Sequence, residues 1–246
     1  IATIACHLLY IVLRTIAFDH PPVTTVFEIM TVLAACIAIA YAYIEFRTKA
    51  TLAADDMTGS KAQVGNTGLF VLLLAFIFQL TSSLYIKDLT EIAPVLRSRL
   101  LGLHVTTALL GYTAISLSAV YGFLYLMLYH EIKSSRFGVI YSRLPNLEIL
   151  ERMSTKAEVF GFVMLTVAII VGVVWLPRAF EDFSYLDPKL VGTLAIWALY
   201  ALSLTAKRVL KWQGRKVMIV SVIAFGFVFL SMTVVNVYLS GFHSFH

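Results

Sequence analysis

The sequence predicts an all-α fold, a polytopic integral membrane bundle of about seven transmembrane helices. Of its 246 residues, 60% are hydrophobic and only 13% are charged. The charged residues gather in short clusters between apolar runs of about twenty residues, a length that crosses a hydrocarbon core of about 30 Å as a helix. A transmembrane β-barrel would instead show alternating segments of about ten residues, so the pattern favours helices.

Seven apolar segments correspond to these helices, and we predict a single transmembrane domain over residues 1–246 without a soluble domain. Each segment is about long enough to span the membrane, and the fourth exceeds that length by a turn or two. The sixth has a helix-start signal, since Asp187 can cap a helix and Pro188 suits its first turn. In chain order, the segments are 1–18, 24–46, 68–86, 100–129, 157–176, 190–206 and 217–239. Polar or charged residues follow each of the first six: DHPP, a connector with Arg and Lys, KD, HEIK, PR and KR.

The chain starts inside an apolar run. Its first residue is Ile1 rather than methionine, so we expect the natural chain to begin upstream, with room for an eighth helix. Residues 1–17 lack the basic start and the small-residue cleavage site of a secretory signal.

Cysteine and charge patterns argue against several classes of protein. The two cysteines, Cys6 and Cys36, lie inside apolar runs, and the sequence has no CxxC or CxxCH motif. Covalent haem, iron–sulfur and zinc sites are therefore not expected. The net charge of +5 comes from basic residues beside apolar segments, where they set membrane orientation. We expect a lipid bilayer and no nucleic acid as partner.

The distribution of lysine and arginine predicts the orientation. The connectors 47–67, 130–156 and 207–216 together carry thirteen of these residues, whereas 19–23, 87–99 and 177–189 carry five. Because basic residues concentrate on the cytoplasmic side, the first set is predicted to be cytoplasmic. The C-terminus then lies outside, as does the Asp187-Pro188-Lys189 segment.

With this topology, three stretches converge on the outer membrane border. They are RSRLLGLHV with His104, FEDFSYLDPK before the sixth helix, and VNVYLSGFHSFH with His243. Two histidines at one depth on different helices, with an aromatic loop between them in sequence, are the minimum for a bis-histidine site for non-covalent haem b. Taken singly, each feature has a simpler reading: an interfacial histidine, an aromatic belt, or a capped helix start.

The order of the motifs resembles the cytochrome c assembly family, the CcsA/HemX-like proteins. SRLLGLHVTTALLGYTAISLSAVYGFLYL is similar to the family helix that carries an outer histidine. LDPK, AIWALYA, KWQGRK, VVN and GFHSFH then follow in the family's order, and CHLLYIVLR and PPVTTVFE are similar to its first segments. The resemblance implies that His104 and His243 ligate haem iron. It also implies that Phe183, Tyr185 and Asp187 belong to the outer haem platform, where Lys189 or Arg178 meets a propionate.

The sequence departs from the family at its tryptophan-rich WWD segment. Phe183, Tyr185 and Leu186 stand where the family has tryptophans, and Thr205 stands where the haem-exporting members have a membrane histidine. These departures resemble the HemX-like branch, which keeps the scaffold while the tryptophan motif decays.

Two ionisable residues lie inside the first helix. His7 and Arg14 are seven residues apart and hence on nearly the same face. Such residues in a membrane helix are functional candidates by default. His7 is a candidate ligand of a second, buried haem whose propionates would reach Arg14. The alternatives are a structural hydrogen bond for His7, snorkelling for Arg14, and pairing of Arg14 with Glu28.

Three functions fit these residues. The first is a cytochrome c assembly protein that holds or presents haem at the outer face of the bacterial inner membrane. The second is a haem b electron-transfer subunit linked to quinol in a respiratory complex. The third is a HemX-like regulatory scaffold without haem. The first two require other membrane proteins as partners.

Overall fold

A computed structural model describes residues 2–54, 67–86, 99–135, 138, 141, 143–179, 186 and 188–231. These residues contain seven α-helices and no strand, which confirms the predicted all-α class. The helices are α1 Ala2–Phe18, α2 Val26–Ala54, α3 Gly68–Tyr85, α4 Arg99–Lys133, α5 Leu147–Ala179, α6 Pro188–Val209 and α7 Arg215–Leu230.

Five helices, α2 to α6, are long and apolar enough to cross a membrane, judged by length and composition. α1 is a shorter apolar helix of 17 residues. Many large apolar side chains on these helices are exposed, for example Ile16 and Leu69 at 73% each. Apolar surface of this extent is expected where helices face lipid rather than water.

α4 is the central helix of the bundle. It packs against α2, α3, α5 and α7. Its apolar span is 78% buried, compared with 22% for the span of α6 and 28% for that of α3. Tyr121 and Leu124 of α4 are almost completely buried in the main hydrophobic cluster, together with Met30 and Leu33 of α2. Each outer helix therefore packs one side against α4 or another helix and exposes its other side to lipid.

α5 begins earlier than the apolar run that starts at residue 157. It starts at Leu147, where the Ile149 backbone N–H donates to Asn146 Oδ1 at 2.9 Å. An exposed pair between Arg152 and Glu148, 2.8 Å apart, supports the first turns. Caps and ion pairs one turn apart stabilise a helix without apolar side chains, so hydropathy alone underestimates its length.

Close backbone approach joins α4 and α5. A Cβ placed on Gly161 would lie 3.0 Å from the Gly111 carbonyl oxygen and 2.7 Å from Ile115 Cγ1. A Cβ placed on Gly111 would lie 3.1 Å from the backbone nitrogen of Leu165. Small residues let membrane helices pack at such distances. Gly102 of α4, by contrast, has no atom of the described residues within 4 Å of its Cβ position.

Replacing Gly161 by alanine should destabilise the fold. The added methyl group has no room beside Ile115 and the Gly111 carbonyl, and overpacking of this kind costs about 1–3 kcal/mol. The midpoint of thermal unfolding in detergent measures the loss. Gly226→Ala is the matched control, since no atom of the residues that the structure describes lies within 4 Å of its Cβ position. Equal losses in the two variants would contradict the close approach of α4 and α5.

Candidate functional site

His104 lies near the start of α4 and faces the late part of α5. Its Nδ1 is 2.8 Å from the Ala168 carbonyl oxygen. The ring also packs against Gly172, where a Cβ would lie 3.1 Å from His104 Cε1 and 3.2 Å from Nδ1. One backbone carbonyl and one glycine of α5 thus set the position of the imidazole.

The hydrogen bond to Ala168 fixes the tautomer of His104. A carbonyl oxygen only accepts, so Nδ1 carries the proton and Nε2 carries the lone pair. Histidines that bind metals commonly donate a hydrogen bond from the N–H of their other ring nitrogen to a backbone carbonyl in this way, which orients the ring and raises its basicity. The arrangement of His104 therefore fits an axial ligand of haem iron, an expectation first raised by its place in the sequence.

Other predicted members of the outer site lie outside the described residues. These are Phe183, Tyr185, Asp187 and His243, and also the side chain of Lys189, whose backbone belongs to the first turn of α6. Their roles stay predictions. The described ends of α6 and α7 do come together, since a Cβ on Gly192 would lie 3.6 Å from Ser231 Oγ.

His7 is half-buried on α1 and faces two other helices. The side chain of Gln79 on α3 and the backbone of Thr31 on α2 are its polar neighbours. Among the described residues, neither His7 Nε2 nor Gln79 Oε1 has a hydrogen-bond partner of good geometry, and both atoms are buried. An unsatisfied buried imidazole nitrogen fits a ligand, and a small adjustment would equally pair it with Gln79. Both roles of His7 proposed from the sequence therefore stay open.

Arg14 forms a buried ion pair with Glu28 at the start of α2. Its Nε and Nη2 lie 3.2 and 3.1 Å from Glu28 Oε1, and the side chains of Arg14 and Glu28 are 7% and 0% exposed. The guanidinium also lies 4.6 Å from the centre of the Phe18 ring. The pairing anticipated from the sequence is present. A role for Arg14 with a haem propionate, which stays a prediction, would compete with this carboxylate.

Glu28 also completes a capping box. Its Oε2 accepts hydrogen bonds from the Thr24 hydroxyl and from the backbone N–H groups of Thr24 and Thr25, at 2.9 and 3.2 Å for the latter two. The backbone N–H of Glu28 donates in turn to Thr25 Oγ1 at 3.2 Å. Reciprocal bonds of this kind satisfy the free donors of a helix start. One carboxylate therefore both begins α2 and holds α1 against it.

A group of buried polar residues between α5 and α6 escaped the sequence reasoning. Glu158 and Tyr200 are completely buried, and Ser203 is 4% exposed. Glu158 lies inside the predicted helix 157–176, so the rule that singled out His7 and Arg14 would have found it too.

Next to this group, Glu151 fastens the connector between α6 and α7. Glu151 Oε1 accepts from Lys207 Nζ at 3.1 Å, and Oε2 accepts from the Gly214 backbone N–H at 3.1 Å. Lys207 also donates to Thr155 Oγ1 at 2.6 Å. Gly214 has a φ of 62°, which glycine adopts without strain. The basic KWQGRK motif is thus tied to α5.

Comparison with known proteins identifies the family of the chain. Residues 4–243 match the family model described as "Cytochrome C assembly protein". HemX from Bacillus subtilis (strain 168) is 34% identical over 118 residues, which are 48% of this chain and 43% of HemX. The cytochrome c biogenesis protein CcsA from Guillardia theta is 26% identical over 259 residues, 98% of this chain and 83% of that protein. The CcsA from Chlamydomonas reinhardtii is 26% identical over 228 residues, 92% of this chain and 61% of that protein.

Removing the charge of Glu28 should destabilise the protein strongly. Glu28→Gln removes the carboxylate that pairs with the buried Arg14 guanidinium, and breaking a buried pair from one side costs about 3–5 kcal/mol. Unfolding of the purified protein in detergent measures the change. The control is Glu148→Gln, since the Glu148–Arg152 pair is exposed and such pairs contribute about 0–1 kcal/mol. A similar, small effect of both substitutions would show that the Arg14–Glu28 pair does not hold α1 to α2.

Proposed function

The chain belongs to the cytochrome c assembly protein family, and on that premise we propose that it binds b-type haem non-covalently and holds or presents it at one membrane face. His104 is the proposed ligand on one side of the iron and His243 the ligand on the other. The observation that carries the proposal is the orientation of His104, whose Nδ1 is hydrogen-bonded to the Ala168 carbonyl oxygen at 2.8 Å.

The proposed roles of the chain's own groups follow from their chemistry. Nε2 of His104 would hold the iron, while Ala168 and Gly172 would keep the ring in place. Phe183 and Tyr185 cover the apolar macrocycle, and Lys189 pairs with a propionate in the segment that contains Asp187. His7 is the proposed ligand of a second haem, for which its unsatisfied Nε2 is suited.

Bound haem supplies vinyl groups, to which the cysteine thiols of a cytochrome c become attached. Cys6 and Cys36 of this chain lie on the apolar helices α1 and α2, so we propose that another protein provides the thiols. The chain would then contribute by positioning the haem for this reaction. It would lie in the bacterial inner membrane with its C-terminus outside, as the lysine and arginine distribution indicates. Its proposed partners are other membrane proteins of cytochrome assembly.

Two further functions use the same scaffold. If the haem stays bound and is redox-active, the chain would serve as an electron-transfer subunit of a respiratory complex. If the chain binds no haem, a HemX-like regulatory scaffold is the better description. The similarity to HemX covers only 43% of that protein, whereas the similarity to the CcsA of Guillardia theta covers 83%. We therefore favour haem handling over the regulatory function.

Substitution of the two proposed ligands should remove haem. Gently purified protein is expected to show a low-spin b-type absorption spectrum, quantified as pyridine haemochrome. His104→Ala and His243→Ala should each reduce the haem content, because each removes one axial imidazole. His130→Ala is the control, since His130 is exposed at the opposite end of α4. Normal haem content in the His104→Ala, His243→Ala double variant would contradict the proposal.

Gly172→Ala tests the positioning of His104 without removing it. The new methyl group would press on the ring at 3.1 Å, so we expect a shifted low-spin spectrum or weaker haem retention with a nearly unchanged unfolding midpoint. Gly102→Ala, close to His104 in sequence but with open space at its Cβ position, is the control. An unaltered spectrum in Gly172→Ala would mean that α5 does not set the ligand geometry.

A further inference from the structure

Four buried oxygen atoms lie without partners between α5 and α6. They are both carboxyl oxygens of Glu158, the phenol oxygen of Tyr200 and the hydroxyl oxygen of Ser203, and none of them has a hydrogen-bond partner among the described residues. Buried polar atoms are usually satisfied, so a group of unsatisfied ones indicates a ligand, a proton or ordered water.

These side chains lie near one another. The Glu158 carboxyl lies next to the Ser203 hydroxyl and within electrostatic range of the Lys207 amino group. The Tyr200 phenol lies within electrostatic range of Glu158 and of Tyr112, which comes from α4. Among the described residues, the titratable groups of this neighbourhood are therefore Tyr112, Tyr200 and Lys207. Helices α4, α5 and α6 all contribute to this polar group.

Glu28 shows what an ionised carboxylate needs in this bundle. Glu28 and Glu158 are both 0% exposed. Glu28 has the Arg14 guanidinium and three further donors. Among the described residues Glu158 has no such donor, and the Lys207 amino group is already bound to Glu151 and Thr155. A buried carboxylate without paired donors is strongly unfavourable, and taking up a proton removes that penalty.

From this contrast we propose that Glu158, Tyr200 and Ser203 form a reversible proton-binding site inside the bilayer, in which Glu158 carries the proton at neutral pH and internal water links the carboxyl to the two hydroxyls. The carboxyl then donates to water or to Ser203, and every unsatisfied oxygen gains a partner. Ionisable groups enclosed in membrane helices commonly serve as proton sites.

The proposed site lies near a cleft that opens at one end of the bundle. Lys207 and Glu151 are 25% and 21% exposed. They line a cleft of about 330 Å³ together with Thr155 and Gln213. Lys207 lines this cleft and lies within electrostatic range of Glu158, so the proposed path of proton exchange runs past Lys207 to the aqueous phase on the side where α6 ends. The proposal is independent of haem binding.

Infrared spectroscopy of the full chain, in detergent and without added haem, tests the site. The wild-type protein should show the carbonyl stretch of a protonated carboxylic acid, shifted to lower frequency in D₂O and lost reversibly as the pH is raised. Glu158→Gln should abolish this band and Ser203→Ala should move it. Glu148→Gln, which alters an exposed carboxyl, should leave it unchanged.

Three results would overturn the proposal. An absent acid band in the wild-type protein would show that Glu158 is ionised, and a carboxylate signal that responds to sodium would then assign a cation site instead. A band that survives Glu158→Gln would belong to another group. A band that does not shift in D₂O would rule out exchange with water. The wild-type measurements alone decide the matter if a variant fails to fold.

Discussion

The bilayer imposes the constraint on which this structure depends, because polar groups in hydrocarbon must find partners within the protein. Three completely buried serines show the result. Ser118 Oγ on α4 lies 3.0 Å from Ser154 Oγ on α5 and 3.1 Å from Ser221 Oγ on α7, and Ser154 Oγ also donates to the Ser118 carbonyl at 2.9 Å. These bonds hold α5 and α7 to the central helix. Arg14 and Glu28 hold α1 to α2 by the same principle.

The geometry of the candidate site depends on the packing of α5 against its neighbouring helices. Gly111 and Gly161 allow α4 and α5 to approach closely, which brings Ala168 and Gly172 against His104. On the other face of α5, Trp197 of α6 donates to Thr166 Oγ1 at 2.9 Å and stacks on Phe162. Two motifs that resemble the family, LHV on α4 and AIWALYA on α6, therefore both contact α5. Rigid helix packing of this kind is what a preorganised ligand requires.

Sequence reasoning succeeded where a signal is local. Apolar runs predicted the helical class, and an arginine and a glutamate in neighbouring membrane segments predicted the Arg14–Glu28 pair. It failed where the outcome depends on packing. The bond from His104 to Ala168 spans 64 positions, and no local pattern indicates which carbonyl an imidazole will meet. Likewise, the early start of α5 depends on its Asn146 cap and on the Arg152–Glu148 ion pair. Glu158 could have been identified from the sequence, but the lack of hydrogen-bond partners for its carboxyl among the described residues could not.

Electron paramagnetic resonance of the oxidised, gently purified full chain can show whether His104 and a second histidine ligate b-type haem. A ferric iron with two axial imidazoles gives a low-spin signal, and labelling the histidines with ¹⁵N would alter its hyperfine couplings from both axial positions. We expect this low-spin signal with couplings from two histidines. A high-spin signal, coupling to a single histidine, or protein that binds no haem after reconstitution would contradict it.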